Sequence, residues 1–295
     1  MKPQQKGRRK PEWLKKRLPP GGAVLRVEKL LDRLHLNTVC HGAKCPNRND
    51  CFHQGTATFL IMGDRCTRSC RFCSIPSETP HPPDPEEPAR LAAAVKEMGL
   101  SYAVITSVTR DDLEDGGASF FAAVIRALRE TVPDVGIEVL VPDFGGKETA
   151  LDTVMKAGPT VLNHNIETVP SLYPRVRPGA DYARSLRLLE QAASYAEIPA
   201  KSGLMAGLGE TAEEVAGTLA DLRASNVELL TIGQYLQPDP GCLEVEEYVT
   251  PGQFREYASL AEKMGFKGVA SGPFVRSSHQ AGALYKTYLE NSRRL

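Results

Sequence analysis

The sequence has no excess of charge of either sign. Its 295 residues include 36 Lys plus Arg and 36 Asp plus Glu, so the formal net charge is zero. A balanced chain gives no argument for binding nucleic acid or an anionic membrane surface. No apolar run approaches the roughly 20 residues that a membrane-spanning helix needs. We therefore expect neither nucleic-acid nor membrane partners.

Two further features are missing. No segment resembles a secretory signal peptide, which argues against an oxidising compartment and against disulfides. Paired C-x2-C knuckles with a spacer of about 12 to 20 residues are also absent, which argues against the commonest zinc modules. A chain of this length can bury a large core without covalent cross-links. We expect a reducing, cytoplasmic setting, with disulfides and zinc as the weaker interpretations of the cysteines.

What the sequence does have is cysteine concentrated in one stretch, since six of its seven cysteines fall within residues 40–73. The first triplet is Cys40, Cys45 and Cys51, spaced C-x4-C-x5-C, and the second is Cys66, Cys70 and Cys73, spaced C-x3-C-x2-C. Closed zinc and iron–sulfur sites usually take four protein ligands. Three thiolates in one loop leave one iron of a cubane without a protein ligand. Because there are two triplets, the pattern predicts two metal centres. Cys242 is expected to remain a free thiol.

From Thr56 onward, short apolar runs alternate with amphipathic segments, which predicts alternating strands and helices. Helix starts agree, because Thr211 with Glu214 and Thr250 with Gln253 fit capping boxes. Alternation of this kind implies a parallel sheet with right-handed crossovers. The strand candidates begin near Thr58, Ala103, Ile137, Thr160, Lys201, Leu229 and Gly268.

Periodicity alone leaves a barrel and an open doubly wound sheet as alternatives. Polar clusters follow the candidate strands, and a barrel gathers its chemistry on the loops after its strands. We therefore predict a partial (β/α)6-type TIM barrel over residues 56–295, with a C-terminal extension. Residues 1–55 form an N-terminal extension with the first triplet. Its first 19 residues are strongly basic, and both a solvated arm and a docking arm for an acidic partner remain open.

The segment GTATFLIMGDRCTRSCRFC at residues 55–73 resembles the core motif of the lipoyl synthase family of radical S-adenosylmethionine (SAM) enzymes. The spacing of its three cysteines, with an aromatic residue between the last two, is similar to the signature loop of all radical SAM enzymes. The resemblance covers almost the whole chain. Further similar stretches are residues 10–14, 40–51, 106–112 with 115–117, 163–168, 201–205 and 271–278.

The resemblance implies a set of cluster ligands. The second triplet, Cys66, Cys70 and Cys73, would hold the 4Fe–4S cluster that cleaves SAM to a 5'-deoxyadenosyl radical. The first triplet, Cys40, Cys45 and Cys51, would hold an auxiliary 4Fe–4S cluster with Ser278 as its fourth ligand. Four polar residues near predicted strand ends are candidates for SAM binding: Ser107, Asn165, Glu167 and Lys201. The segment Gly207–Glu210 is a candidate for lining the SAM backbone.

The implied reaction is insertion of two sulfur atoms at the sixth and eighth carbons of an octanoyl-lysine, with the auxiliary cluster as sulfur donor. The implied substrates are octanoylated lipoyl domains of 2-oxoacid dehydrogenase acyltransferase subunits and the glycine cleavage H protein. A ferredoxin- or flavodoxin-type protein would supply electrons. The chain departs from the family pattern after Ser278, where His279-Gln280-Ala281 replaces the more usual tyrosine and basic residue.

Two rival functions remain. Biotin synthases and methylthiotransferases also insert sulfur by radical chemistry, but they place their auxiliary ligands differently, whereas here the extra triplet precedes the signature loop. An electron carrier with two clusters belongs to a different class. Carriers need closed sites with four thiolates, and neither triplet has a fourth cysteine nearby.

Overall fold

The computed structural model describes residues 9–16 and 22–293. Its strands form one sheet in the order β1 to β8, in which β2 to β8 run parallel and β1 pairs antiparallel with β2. The strands are β1 (Asn37–Thr38), β2 (Thr58–Ile61), β3 (Tyr102–Ser107), β4 (Gly136–Leu140), β5 (Val161–Asn163), β6 (Ala200–Ala206), β7 (Leu229–Gln234) and β8 (Gly268–Gly272).

Helices follow the parallel strands and connect each to the next. The α-helices are α1 (Gly22–Arg33), α2 (Val39–Gly42), α3 (Arg48–His53), α4 (Glu87–Glu97), α5 (Ala118–Thr131), α6 (Glu148–Lys156), α7 (Tyr173–Val176), α8 (Tyr182–Ala193), α9 (Ala212–Ala224), α10 (Pro251–Lys263) and α11 (Ala281–Ser292). Strands β2 to β7 with their helices make six β/α units, and β8 with α11 forms the C-terminal extension. The strands follow one another across the sheet in chain order, without the reversal that a doubly wound sheet has, so the predicted partial barrel is confirmed.

Burial explains why these segments form strands. All four residues of β2 and all six of β7 are buried, as expected where helices cover one face of a parallel sheet and side chains fill the other. The predicted helix starts also form. Thr211 and Glu214 make a full capping box, and the Thr250 hydroxyl accepts from the Gln253 N–H over 3.1 Å. None of the described helices has the length and apolar character needed to cross a membrane.

The N-terminal extension packs directly against the barrel. Phe52 of α3 belongs to the same hydrophobic core as Phe59 of β2, so the core continues across the predicted division at residue 55. Of the basic arm, residues 1–8 and 17–19 lie outside the described residues. The Lys16 ammonium donates to the side chains of Asn47 over 2.6 Å and Asp50 over 2.5 Å. This part of the arm therefore lies on the turn and helix that carry Cys45 and Cys51.

Candidate active site

The second cysteine triplet lies on the loop that follows β2. Met62 and Gly63 turn the chain away from the sheet with φ angles of 64° and 92°. The two ends of the loop are joined, because the Cys66 N–H donates to the Pro76 carbonyl over 2.9 Å and the Glu78 N–H donates to the Cys66 carbonyl over 3.2 Å. The loop therefore presents its cysteines from a closed, hydrogen-bonded frame.

Backbone N–H groups point at the sulfur atoms of this loop. Cys66 Sγ accepts from the N–H groups of Arg68 and Thr109 over 3.4 and 3.3 Å, and Cys73 Sγ accepts from Ile75 over 3.5 Å. Such contacts favour a thiolate, whereas burial opposes it and raises the pKa of the Cys73 thiol to about 12. A bound cation such as cluster iron would offset this cost, because the metal ligand is the thiolate.

The first triplet lies on two short helices and the turn between them. Cys40 belongs to α2, Cys51 to α3 and Cys45 to the connecting turn. The Cys45 N–H donates to the Cys40 carbonyl over 3.1 Å, which folds the turn back onto α2. Burial first, and then the neighbouring cysteines, raise the pKa of Cys40 to about 12 and that of Cys51 to about 11. The three sulfurs are thus near enough to influence one another's charge.

The loop after β8 lies against the first triplet. Its Phe274 carbonyl accepts from the Asn47 side-chain amide over 2.7 Å. Burial lowers the pKa of Arg276, and the negative charge of a nearby Cys45 thiolate partly offsets this effect. Ser278 follows two residues later in the same loop. The C-terminal extension therefore brings its serine to the side of the barrel where Cys45 lies.

One cavity of about 580 Å³ lies where these three loops meet. The cysteines that border it are Cys45, Cys66, Cys70 and Cys73. Its polar lining includes Ser107, Asn165, Glu167, Arg177 and Ser278, and its apolar lining includes Val39, Leu60, Ile75 and Leu140. Members of both triplets and the predicted serine ligand thus face a single space.

All seven cysteines are free thiols in the structure, so the disulfide hypothesis receives no support. In the described part of the chain, no three His, Cys, Asp or Glu side chains are placed to hold a single metal ion. A cubane spreads its three protein thiolates over three iron atoms, so its ligands need not converge on one point.

Three of the four residues predicted to bind SAM border the cavity. Ser107 ends β3, and its hydroxyl is buried without a hydrogen-bond partner in the described residues. Asn165 and Glu167 follow β5, and the Asn165 amide donates to the Glu167 carboxylate over 3.1 Å. Burial raises the pKa of Glu167, whose backbone is left-handed at φ 67°. An unpaired hydroxyl and a half-buried carboxyl in one cavity are groups that a polar ligand could satisfy.

Lys201 is placed differently from what the sequence suggested. It is the second residue of β6, so it lies at the start of the strand and not at its end. Its ammonium donates to Glu138 over 2.7 Å and to the Ser277 carbonyl over 2.6 Å, and it is not among the described residues that border the cavity. The segment Gly207–Glu210 also lies outside this lining. Within it, the Glu210 carboxylate accepts from the N–H groups of Gly207 and Leu208.

Arg177 borders the cavity, although no pattern in the sequence predicts a role for it. Its guanidinium donates to the Asn165 carbonyl over 3.1 Å and to the Tyr173 hydroxyl over 2.9 Å. Burial disfavours its charged form, but Tyr173, Glu167 and Cys70 outweigh burial and raise its pKa. Arg177 therefore supplies fixed positive charge between the second triplet and the polar residues after β5.

Arg68 connects the loop of the second triplet to the ends of β3 and β4. Its guanidinium donates to Asp111 over 2.7 and 2.8 Å and to Asp143 over 2.6 Å. The Arg68 and Asp143 side chains are 9% and 0% exposed. Burial opposes ionisation of Asp143, but Arg68 nevertheless lowers the pKa of this carboxyl to about 2. Polar groups that follow three successive strands are thereby fixed together.

Replacement of Arg68 by methionine should lower the melting temperature Tm by about 5 °C. The substitution leaves the Asp143 carboxylate buried, with Arg184 at 3.4 Å as its remaining cationic partner. Loss of one member of a buried ion pair costs about 3 kcal/mol, and about 2 °C per kcal/mol is expected for a chain of this size. Anaerobic scanning calorimetry of the full chain measures this shift.

Arg65→Met is the matched control on the same loop. Arg65 pairs with Glu78 over 2.7 Å, but the two side chains are 40% and 54% exposed. Exposed pairs contribute about 0–1 kcal/mol, so the control should change Tm by less than about 2 °C. Equal shifts in the two variants would contradict an anchoring role for Arg68.

The chain is similar in sequence to known proteins. The family model described as the radical SAM superfamily matches residues 60–222. A protein named lipoyl synthase from Chlorobium limicola is 55% identical over 274 residues, which cover 92% of this chain and 94% of the relative. A lipoyl synthase from Coxiella burnetii is 54% identical over 275 residues, 92% of this chain and 87% of the relative.

Solved structures share the fold at much lower sequence identity. The FeFe-hydrogenase maturase HydG from Carboxydothermus hydrogenoformans aligns with a TM-score of 0.60 and 17% identity, over 78% of this chain and 56% of that chain. Coproporphyrinogen III oxidase from Escherichia coli, described as a radical SAM enzyme, aligns with a TM-score of 0.51 and 17% identity, over 77% of this chain and 57% of that chain. These similarities concern the fold alone.

Proposed function

The chain belongs to the lipoyl synthase family of the radical SAM superfamily, and from this premise we propose how its residues divide the reaction between two clusters. The reaction inserts two sulfur atoms, at the sixth and eighth carbons of an octanoyl chain on a protein lysine, to give lipoyl-lysine. The observation that carries the proposal is the shared cavity, which Cys45, the whole second triplet and Ser278 all border.

Membership of the radical SAM superfamily implies a 4Fe–4S cluster and SAM, and the second triplet fits that cluster. Cys66, Cys70 and Cys73 border one cavity, and backbone N–H groups donate to the sulfurs of Cys66 and Cys73. When bound, the cluster and SAM supply the hydrogen-abstracting radical chemistry that an unactivated C–H bond requires. The three thiolates would hold the cluster and would leave one iron free of protein ligands.

Ser107, Asn165 and Glu167 are the residues that we assign to SAM binding. The unpaired Ser107 hydroxyl and the half-buried Glu167 carboxyl fit a ligand that has both donors and acceptors. Arg177, which also borders the cavity, donates to the Asn165 carbonyl and holds this backbone in place. These residues would bind and orient the polar groups of SAM.

The first triplet fits the auxiliary cluster, with Ser278 as the fourth ligand. The hydroxyl of Ser277 lies 2.7 and 2.9 Å from the amide atoms of Asn165, whereas that of Ser278 has no hydrogen-bond partner among the described residues. A serine oxygen is a harder and weaker partner for iron than a thiolate. A serine ligand would therefore be released more easily than a thiolate, which would suit a cluster that serves as sulfur donor. Residues 1–55 thus act as the auxiliary-cluster unit of a barrel formed by residues 56–295.

The substrate is an octanoyl chain on a lysine of a lipoyl domain. Four apolar residues of the cavity, Val39, Leu60, Ile75 and Leu140, offer a surface on which such a chain can pack. The domains that carry it are those of 2-oxoacid dehydrogenase acyltransferase subunits and the glycine cleavage H protein. A ferredoxin- or flavodoxin-type protein supplies the electrons. The reaction takes place in the cytoplasm, where thiols remain reduced.

The test is anaerobic incubation of the reconstituted protein with SAM, a low-potential reductant and an octanoyl-lysine peptide, followed by mass spectrometry. The expected product carries two added sulfur atoms, with two 5'-deoxyadenosines formed per product. Cleavage of SAM without gain of sulfur would contradict the substrate assignment. A preparation with about eight irons per chain that does not cleave SAM would contradict the function and favour an electron carrier.

A further inference from the structure

Four adjacent strands of the barrel carry polar side chains that form a buried layer. Lys201 of β6 and Glu138 of β4 form an ion pair of 2.7 Å, and both side chains are 1% exposed. The Asn163 amide, on the intervening strand β5, donates to the same carboxylate over 3.1 Å. The Tyr102 hydroxyl of β3 donates to its other oxygen over 3.1 Å. Side chains of four adjacent strands therefore meet at one buried carboxylate.

Lys201 also connects this layer to the C-terminal loop. Its ammonium donates to the Ser277 carbonyl over 2.6 Å. The Ser277 hydroxyl, in turn, lies 2.7 and 2.9 Å from the amide atoms of Asn165. Ser277 is thus held at both its backbone and its side chain, and the next residue is Ser278.

A buried ion pair is a poor device for stability alone. Desolvation of the two charges offsets much of their attraction, and apolar residues of similar volume often stabilise a core equally well. Unlike an apolar side chain, an ammonium can fix the position of an acceptor through a charge-assisted hydrogen bond. In this barrel that acceptor is the carbonyl next to the proposed serine ligand.

We propose that Lys201, held in place by Glu138, is a positioning residue for Ser278. By fixing the Ser277 carbonyl, it determines how long the Ser278 oxygen stays on the auxiliary cluster. This inference rests on the proposed assignment of Ser278 as fourth ligand. A weak oxygen ligand depends on how firmly its backbone is held, and residues behind the ligands commonly tune metal sites in this way. The ion pair thus controls the release of the serine ligand.

The test isolates the auxiliary cluster in the full chain by replacing Cys66, Cys70 and Cys73 with alanine. The variant Lys201→Met with Glu138→Gln removes both charges together, so that no unpaired charge is buried. The new glutamine carbonyl can still accept from Asn163. The rate at which a chelator removes iron is then measured with Ser278 present and in the Ser278→Ala background.

With Ser278 present, the double variant should release iron about tenfold faster, the scale expected for one charge-assisted hydrogen bond. In the Ser278→Ala background, release is already fast, and the double variant should add less than about twofold. If Lys201 and Glu138 only stabilised the fold, the double variant would accelerate iron release by the same factor in both backgrounds. Equal factors would therefore overturn the proposal, and so would a lack of acceleration in both.

Lys267→Met with Glu228→Gln is the matched control. These two residues precede β8 and β7, and they form an ion pair of 2.6 Å with side chains 28% and 24% exposed. Iron release should stay within about twofold of the parent protein, and acceleration equal to that of the Lys201 variant would overturn the proposal. If Ser278→Ala alone left the rate of iron release unchanged, the assignment of Ser278 as a ligand would fail. If Ser278→Ala accelerated iron release, but the Lys201 and Glu138 double variant accelerated it by the same factor in both backgrounds, only the positioning role would be refuted.

Discussion

Replacement of Cys70 by alanine is expected to abolish the reductive cleavage of SAM. Cys70 borders the cavity together with Cys66 and Cys73, and its loop contains no fourth cysteine that could take its place. Formation of 5'-deoxyadenosine should fall by about 10³-fold or more, equivalent to about 4 kcal/mol in the barrier. Iron content should fall from about eight to about four atoms per chain, because the auxiliary cluster remains. Anaerobic chromatography and an iron assay on the same preparation measure both quantities.

Cys242→Ala is the matched control for this variant. Cys242 belongs to neither triplet, although its thiol donates to the Cys73 carbonyl over 3.4 Å. A thiol is a weak donor, so its loss should leave iron content unchanged and SAM cleavage within about twofold of the parent protein. Retention of both clusters in the Cys70 variant, or loss of one in the Cys242 variant, would show that the cysteines had been assigned to the wrong roles.

Periodicity in the sequence predicts the parallel barrel but not every element of it. The run TFLIM predicts β2, all of whose residues are buried. The run TVLNHNI at residues 160–166 predicts a longer strand than β5. The strand ends at Asn163, because the following residues turn into the cavity. Strand β1 consists of Asn37 and Thr38, which gain a partner only from β2. A repeating pattern cannot indicate a strand of two residues that tertiary contact creates.

The two cysteine triplets stand out in the sequence because thiols at fixed spacing have few other uses, and their role as cluster ligands stays a prediction. Contacts across the barrel, by contrast, leave no local pattern. Arg177 lies between Pro174 and Pro178, and its spacing marks no function. Lys201 was a candidate for SAM binding, but its hydrogen bonds to Glu138 and to the Ser277 carbonyl join elements that lie far apart in the sequence. The charge of Glu138, alone in the apolar run IEVLV, was the available signal, because a carboxylate buried in a strand needs a partner.

Replacement of Cys45 by alanine is expected to separate the two halves of the reaction. Cys45 is the member of the first triplet that borders the cavity, and it lies close enough to Arg276 to affect that residue's pKa. Loss of its thiolate should remove the auxiliary cluster and leave about four irons per chain. Formation of lipoyl-lysine should fall by about 10³-fold or more, whereas 5'-deoxyadenosine should still form at no less than about a tenth of the parent rate.

This separation follows from the way the two sites are built. The loop of the second triplet is closed by the contacts of Cys66 with Pro76 and Glu78. It contacts α2 through the Ser74 hydroxyl, which donates to the Gly42 carbonyl over 2.7 Å and involves no cysteine of the first triplet. His53→Ala is a suitable control, since His53 is an exposed residue with metal-binding capacity on the same helix as Cys51. The control should retain both clusters and both activities. Loss of SAM cleavage in the Cys45 variant, or continued sulfur insertion by it, would contradict two clusters with separate tasks.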